Sequence, residues 1–148
     1  MASARWAALD HDYVAALLNA SGWFTVPPPL PVEIRAPDSI QFNLLGFADD
    51  GEARAFQARA RGKGIEVQIF GLSEDNARAF WNWEFIGPQR DLSSTRAMLM
   101  RACDVRLPAR LTWSELDFIA VALVDAATEV KSPSRSGMAG RVLSSAIG

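Results

Sequence analysis

The chain has 148 residues, of which 49% are hydrophobic and 22% charged, the profile of a single folded domain that can bury a core without help from a disulfide or a metal. One Cys and one His exclude an internal disulfide and a structural zinc site with about four ligands, so a reducing, cytosolic compartment is the default. A net charge of −2 with scattered basic residues gives no electrostatic footprint for nucleic acid. No stretch approaches the roughly 20 apolar residues of a membrane span, and Asp10 and Asp12 interrupt the first apolar run before it could serve as an export signal.

In chain order, Trp6, Leu9, Tyr13, Leu17 and Ala20 recur at three- and four-residue steps and predict an amphipathic helix from Ser3 to Asn19, ended by Gly22. A short β-prone piece, Trp23 to Val26, leads into the stiff connector Pro27-Pro28-Pro29-Leu30-Pro31. Ser39 to Phe47 alternates Ile40, Phe42 and Leu44 with polar residues and predicts a half-buried strand. Asp49 and Glu52 then open a helix whose inner face is Ala53, Phe56 and Ala60, and which stops at Gly62 or Gly64. A second strand is predicted over Ile65 to Phe70. Ser73 caps an expected helix over Glu74 to Trp81, and Phe80 to Ile86 reads equally as a helix end or a short strand. Asp91 is expected to cap a helix over Leu92 to Ala102, followed by an extended piece, Val105 to Pro108. Thr112-Trp113-Ser114-Glu115 is a capping box, and Leu116, Ile119, Ala120, Leu123, Ala127 and Val130 form the apolar face of the helix it opens. The expected fold is α/β of the two-layer α+β kind, with a small, mostly antiparallel sheet covered on one face by helices. It spans residues 1–131, and the small, polar composition of 132–148 predicts a flexible or loosely docked tail.

The chemistry-bearing candidates are few. Asp10-His11-Asp12 cannot converge on one atom, because neighbours on a helix point about 100° apart, so the expectation is a solvated face. Cys103 falls on the apolar side of its expected helix and reads as a small buried hydrophobe. Gly62-Lys63-Gly64 lacks the spacing of a phosphate loop and reads as a helix stop. Arg96, Arg101, Arg106 and Arg110 lie close in sequence; Arg106 and Arg110 are the candidate contacts for an anion or substrate, against a bland reading of surface salt links. Trp81, Trp83 and Phe85 are the candidate partner interface, against a folded core edge. No catalytic, cofactor-binding or metal-binding residue is assigned on this chain.

Two segments in order carry a family resemblance. Arg61-Gly62-Lys63-Gly64-Ile65-Glu66-Val67 resembles the helix, R-G-I, strand step in the small C-terminal domain of fold-type I pyridoxal-phosphate (PLP) enzymes. It is similar above all to the DegT/DnrJ/StrS sugar-nucleotide aminotransferases. The run from Cys103 to Ile119, with Leu107-Pro108-Ala109-Arg110-Leu111-Thr112-Trp113-Ser114-Glu115-Leu116-Asp117-Phe118-Ile119, resembles that family's closing LP … LT-x-x-E-(I/L/V)-D-x-(I/V) segment. The helix from Ser3, the proline-rich stretch and the strand from Ser39 to Phe47 likewise resemble the preceding helix, short strand and alternating strand of that domain, so the likeness runs from about Arg5 to Lys131. It implies a sheet covered by helices on one side and a domain that lies over the cofactor cleft of a larger one. The Schiff-base lysine of the family belongs to that larger domain, expected before Met1 or on another polypeptide. The resemblance therefore implies a lid or partner subunit that binds no PLP alone, working with a PLP-domain polypeptide or as a homo-oligomer. The alternatives are a regulatory α/β module for a small anionic ligand and a protein-interaction module.

Overall fold

The computed structural model of the chain describes residues 2–31, 38–72, 79–83, 86–88 and 90–132, with side chains from residue 8 onward. Helix α1 (Ala2–Ala20) turns Val14 and Leu18 inward and ends where Ser21 Oγ donates to the Leu18 carbonyl at 2.7 Å. Gly22 follows at φ 78°, a left-handed conformation that lets the chain reverse without a Cβ penalty. Strand β1 (Phe24–Thr25) then pairs antiparallel with β2 (Ser39–Leu44), Phe24 opposite Leu44. The expected alternation is present in β2: Ile40, Phe42 and Leu44 are buried, while Gln41 is exposed.

Helix α2 (Asp50–Gly62) begins at Asp49, whose carboxylate accepts from the Glu52 N–H at 2.9 Å, and Glu52 reaches back to the Ala48 N–H at 2.7 Å. Its buried residues are Ala53, Phe56 and Ala60, as the spacing predicts. The chain turns through Lys63 and Gly64 into β3 (Val67–Ile69). Helix α3 (Ser93–Leu99) precedes β4 (Ala102–Arg106), and α4 (Trp113–Lys131) closes the domain. The sheet order is β1-β2-β4-β3, with every pairing antiparallel. Inward residues of the strands join those of α1, α2 and α4 in one core, so the fold is the two-layer α+β arrangement, helices on one face of the sheet.

Three expectations are corrected. The helix expected over 92–102 is α3 alone; it starts at Leu92 without a side-chain cap, so Asp91 does not cap it. The chain from Ala102 is a strand, β4, the inner member between β2 and β3, so Cys103 packs from a strand and not from a helix. Phe80–Asn82 is a single 3-10 turn; the helix predicted from Glu74 lies mostly outside the described residues, as does nearly all of the 132–148 tail. Among the described residues no helix is long and apolar enough to cross a membrane.

The capping box of α4 is complete. Thr112 Oγ1 accepts from the Glu115 N–H at 3.3 Å, and Glu115 Oε2 accepts from the Thr112 N–H at 2.7 Å. Thr112 is exposed, so Thr112→Ala removes the cap without opening a cavity and is expected to cost about 1 kcal/mol in urea unfolding, with the m-value unchanged.

Candidate functional site

A groove of about 730 Å³ lies around the outer edge of β3. Among the described residues β3 has a neighbour on one side only, so its other edge carries backbone groups outside the ladder. Gln57 of α2 meets one of them, its side-chain amide donating to the Val67 carbonyl at 2.8 Å. Val67 and Ile69 enter the groove from the helix-covered face of the sheet, and Gln68, Asp104 and Arg106 from the opposite one. Leu111, Glu115 and Phe118 close it from the start of α4. Volume and mixed lining fall within the range of small-ligand sites.

Charge in the groove is largely spoken for. Arg61 grips Glu66 with two hydrogen bonds, 2.7 and 3.1 Å, and holds its carboxyl below the usual carboxylate range. The Thr112 N–H and hydroxyl do the same to Glu115. Arg106, exposed, donates to Asp38 at 2.9 Å. Asp104 is 6% exposed on the polar face, opposite Gln41 and Gln68 in register. With Glu66, Asp104 and Glu115 beside Arg54 and Arg106, the lining does not single out an anionic ligand.

The other candidates disperse. Arg110 is exposed at φ 72°, in the turn before α4, and does not line the groove with Arg106. Arg101 donates to Asp50 at 3.0 Å and to the Phe47 carbonyl, and Arg96 lies 4.6 Å from the ring centre of Trp81. Trp81 and Trp83 are half-buried, Trp81 edge-on to Phe80 at 5.1 Å; Phe85 lies outside the described residues. His11 corrects the expectation of a solvated face: it is 7% exposed and turned to the core, while Asp12, 3.4 Å from its Nδ1, is exposed. Among the described residues no group of three or more His, Cys, Asp or Glu side chains could hold a metal ion.

Cys103 is 1% exposed, and burial, followed by the neighbouring Asp104 charge, pushes its thiol well above the ordinary range. In the native protein at neutral pH it is expected to resist a thiol reagent over a time in which the urea-unfolded chain reacts completely; equal rates would place the thiol at the surface.

The two lysines of the chain do not fit a Schiff-base role. Lys63 Nζ is 2.6 Å from Glu129, and Lys131 Nζ is 2.9 and 3.0 Å from the two Glu52 oxygens. Each ammonium is the partner that holds a glutamate low: Lys63, with Arg59, for Glu129; Lys131, with the Ala48 N–H, for Glu52. Neither lysine lines the groove. An imine needs an amine in a pocket that accommodates the aldehyde, whereas Lys63, in the turn after α2, and Lys131, at the end of α4, are held by glutamates outside the groove.

Fold and site define a two-layer α+β domain with a groove at its sheet edge. Comparison with family models, with curated proteins and with solved structures gives no match to this chain.

Proposed function

We propose that this chain is the small, cleft-covering domain of a PLP-dependent aminotransferase of the sugar-nucleotide type, working in the cytosol against a partner domain that carries the cofactor, and not catalytic alone. One observation carries the reading. The two segments that resemble the family, some forty residues apart in sequence, line the same groove: Gly64 to Val67 on one side, and Asp104 to Arg106 with Pro108, Leu111 and Glu115 on the other. The strand, helix, strand order and the capped last helix agree with the family's small domain, and the lysine geometry agrees with chemistry carried elsewhere. The chain's own part is to cover and to orient. A groove wall of mixed apolar and polar side chains closing over a cleft excludes water and holds a substrate in place, with no proton or bond passing through this domain.

The direct test is the purified chain with added PLP. No imine absorption band and no borohydride-trapped adduct is expected; a stoichiometric adduct on Lys63 or Lys131, together with turnover of an amino donor, overturns the proposal.

A further inference from the structure

On the flank of α4 away from the β3 groove, a second depression lies between α1 and α4, and it has a different character. Helix α4 is pinned to α1 near its start and to the turn after α1 near its end. Tyr13 meets Trp113 edge-on at 4.8 Å and donates its hydroxyl to Asp117 at 2.6 Å; at the other end Trp23 Nε1 donates to Thr128 Oγ1 at 3.1 Å. Between the pins the small side chains of Ala20 and Ala120 leave a depression of about 340 Å³, walled by Leu17, Val121 and Val124. The distance along α4 from Trp113 to Thr128 corresponds to roughly 22 Å, about four helical turns at 1.5 Å per residue.

This surface is apolar in the open. Trp113 is 58% exposed, Val121 56% and Leu9 48%. It is also one-sided in charge. Asp125 lines the depression, Asp117 accepts from Tyr13 beside Trp113, and Asp10, seven residues before Leu17, shares its face of α1. Among the described side chains of α1, and along α4 as far as Val130, there is no Lys or Arg, and the one histidine, His11, faces the core. A second copy would set these aspartates against one another, and an anionic lipid surface would be repelled. The complementary occupant is a helix with an apolar stripe for Leu17, Val121 and Val124 and basic residues beside it.

We infer that the α1–α4 groove is a docking site for a basic amphipathic helix of a partner protein. The inference stands on this surface alone and is independent of the aminotransferase reading, since the groove shares no residue with the one around β3.

The probe is an 18-residue Leu/Lys peptide with leucines on one helical face, titrated into the isotope-labelled chain and followed by NMR, with the matching Leu/Glu peptide as charge control. Saturable one-to-one binding is expected, with shifts confined to the outer faces of 9–21 and 113–128, weaker at high salt and absent for Leu/Glu. Val121→Glu is expected to weaken binding about tenfold or more and Asp125→Lys several-fold. Both sites are solvent-exposed, so the variants remain folded, which circular dichroism verifies. Ile86→Glu, at a residue 62% exposed elsewhere, leaves binding unchanged. Equal binding of both peptides, shifts outside the groove, no saturable binding, or a concentration-dependent dimer abolished by Val121→Glu would each overturn the inference, the last by naming a second copy as the occupant.

Discussion

Replacing Phe56 with alanine is expected to lower the stability of the domain by about 3–5 kcal/mol. Phe56 is fully buried, and its ring is the hub of the core. Ring centres of Phe24, Phe47 and Phe42 stand 5.7, 5.9 and 6.4 Å away, tilted or edge-on. Those rings come from β1, from the turn before α2, and from β2, so one side chain ties the helix layer to two strands and a loop. Truncation removes the transfer free energy of the ring and leaves a space that four rigid elements cannot collapse to fill. Against a total of about 5–15 kcal/mol for a domain, this is a large fraction. Urea unfolding with an unchanged m-value is the measurement. A loss below about 1 kcal/mol would mean that the ring cluster does not organise the core.

Gly71→Ala is the second large effect. Gly71 follows β3 in a 3-10 turn, and a Cβ built there would stand 2.6 Å from Met100 Sδ and 2.9 Å from the Met100 backbone nitrogen. The sulfur alone could swing aside on a flexible side chain. The backbone nitrogen belongs to the residue that closes α3 and precedes β4, and Met100 is 1% exposed, so the turn and the strand entry must part. Overpacking of this kind costs about 1–3 kcal/mol. The double variant Gly71→Ala, Met100→Ala separates the two contacts: the sulfur contribution is relieved and the backbone contribution persists, a non-additive cycle in thermal or urea unfolding. Additive effects would show that the two residues do not meet.

These contacts also show how much of the molecule can be read from residue order. Helix α4 is legible because its cap and its apolar face are local: Thr112, Glu115 and the three- and four-residue steps from Leu116 to Ala127 need no other part of the chain. Strand β2 and helix α2 are legible for the same reason. β4 is not. Cys103, Val105 and Leu107 do alternate with Asp104 and Arg106, but over a run this short the helical spacing of Leu92, Leu99 and Cys103 competes. What decides for the strand is non-local, its pairing with β2 on one side and β3 on the other. His11 fails in the opposite way. Three adjacent polar residues read as one wet face, yet the 100° step that keeps them from converging also turns the middle one into the core. The groove is invisible for a further reason. Its walls come from α2, β3, β4 and α4, and only the sheet order β2-β4-β3 brings them together. Gln57, which meets the outer edge of β3 at the Val67 carbonyl, carries no sequence signal at all; Asp104 carries one, the period-two run that the helical reading overrode.

The most direct measurement is to reduce cells expressing the tagged chain with borohydride, isolate the chain together with whatever accompanies it, and map phosphopyridoxyl-lysine by mass spectrometry. The account predicts that modification on a lysine outside these 148 residues, on an accompanying polypeptide or an attached domain, with Lys63 and Lys131 unmodified. Phosphopyridoxyl-lysine at Lys63 or Lys131, or none anywhere in the isolated assembly, would contradict it.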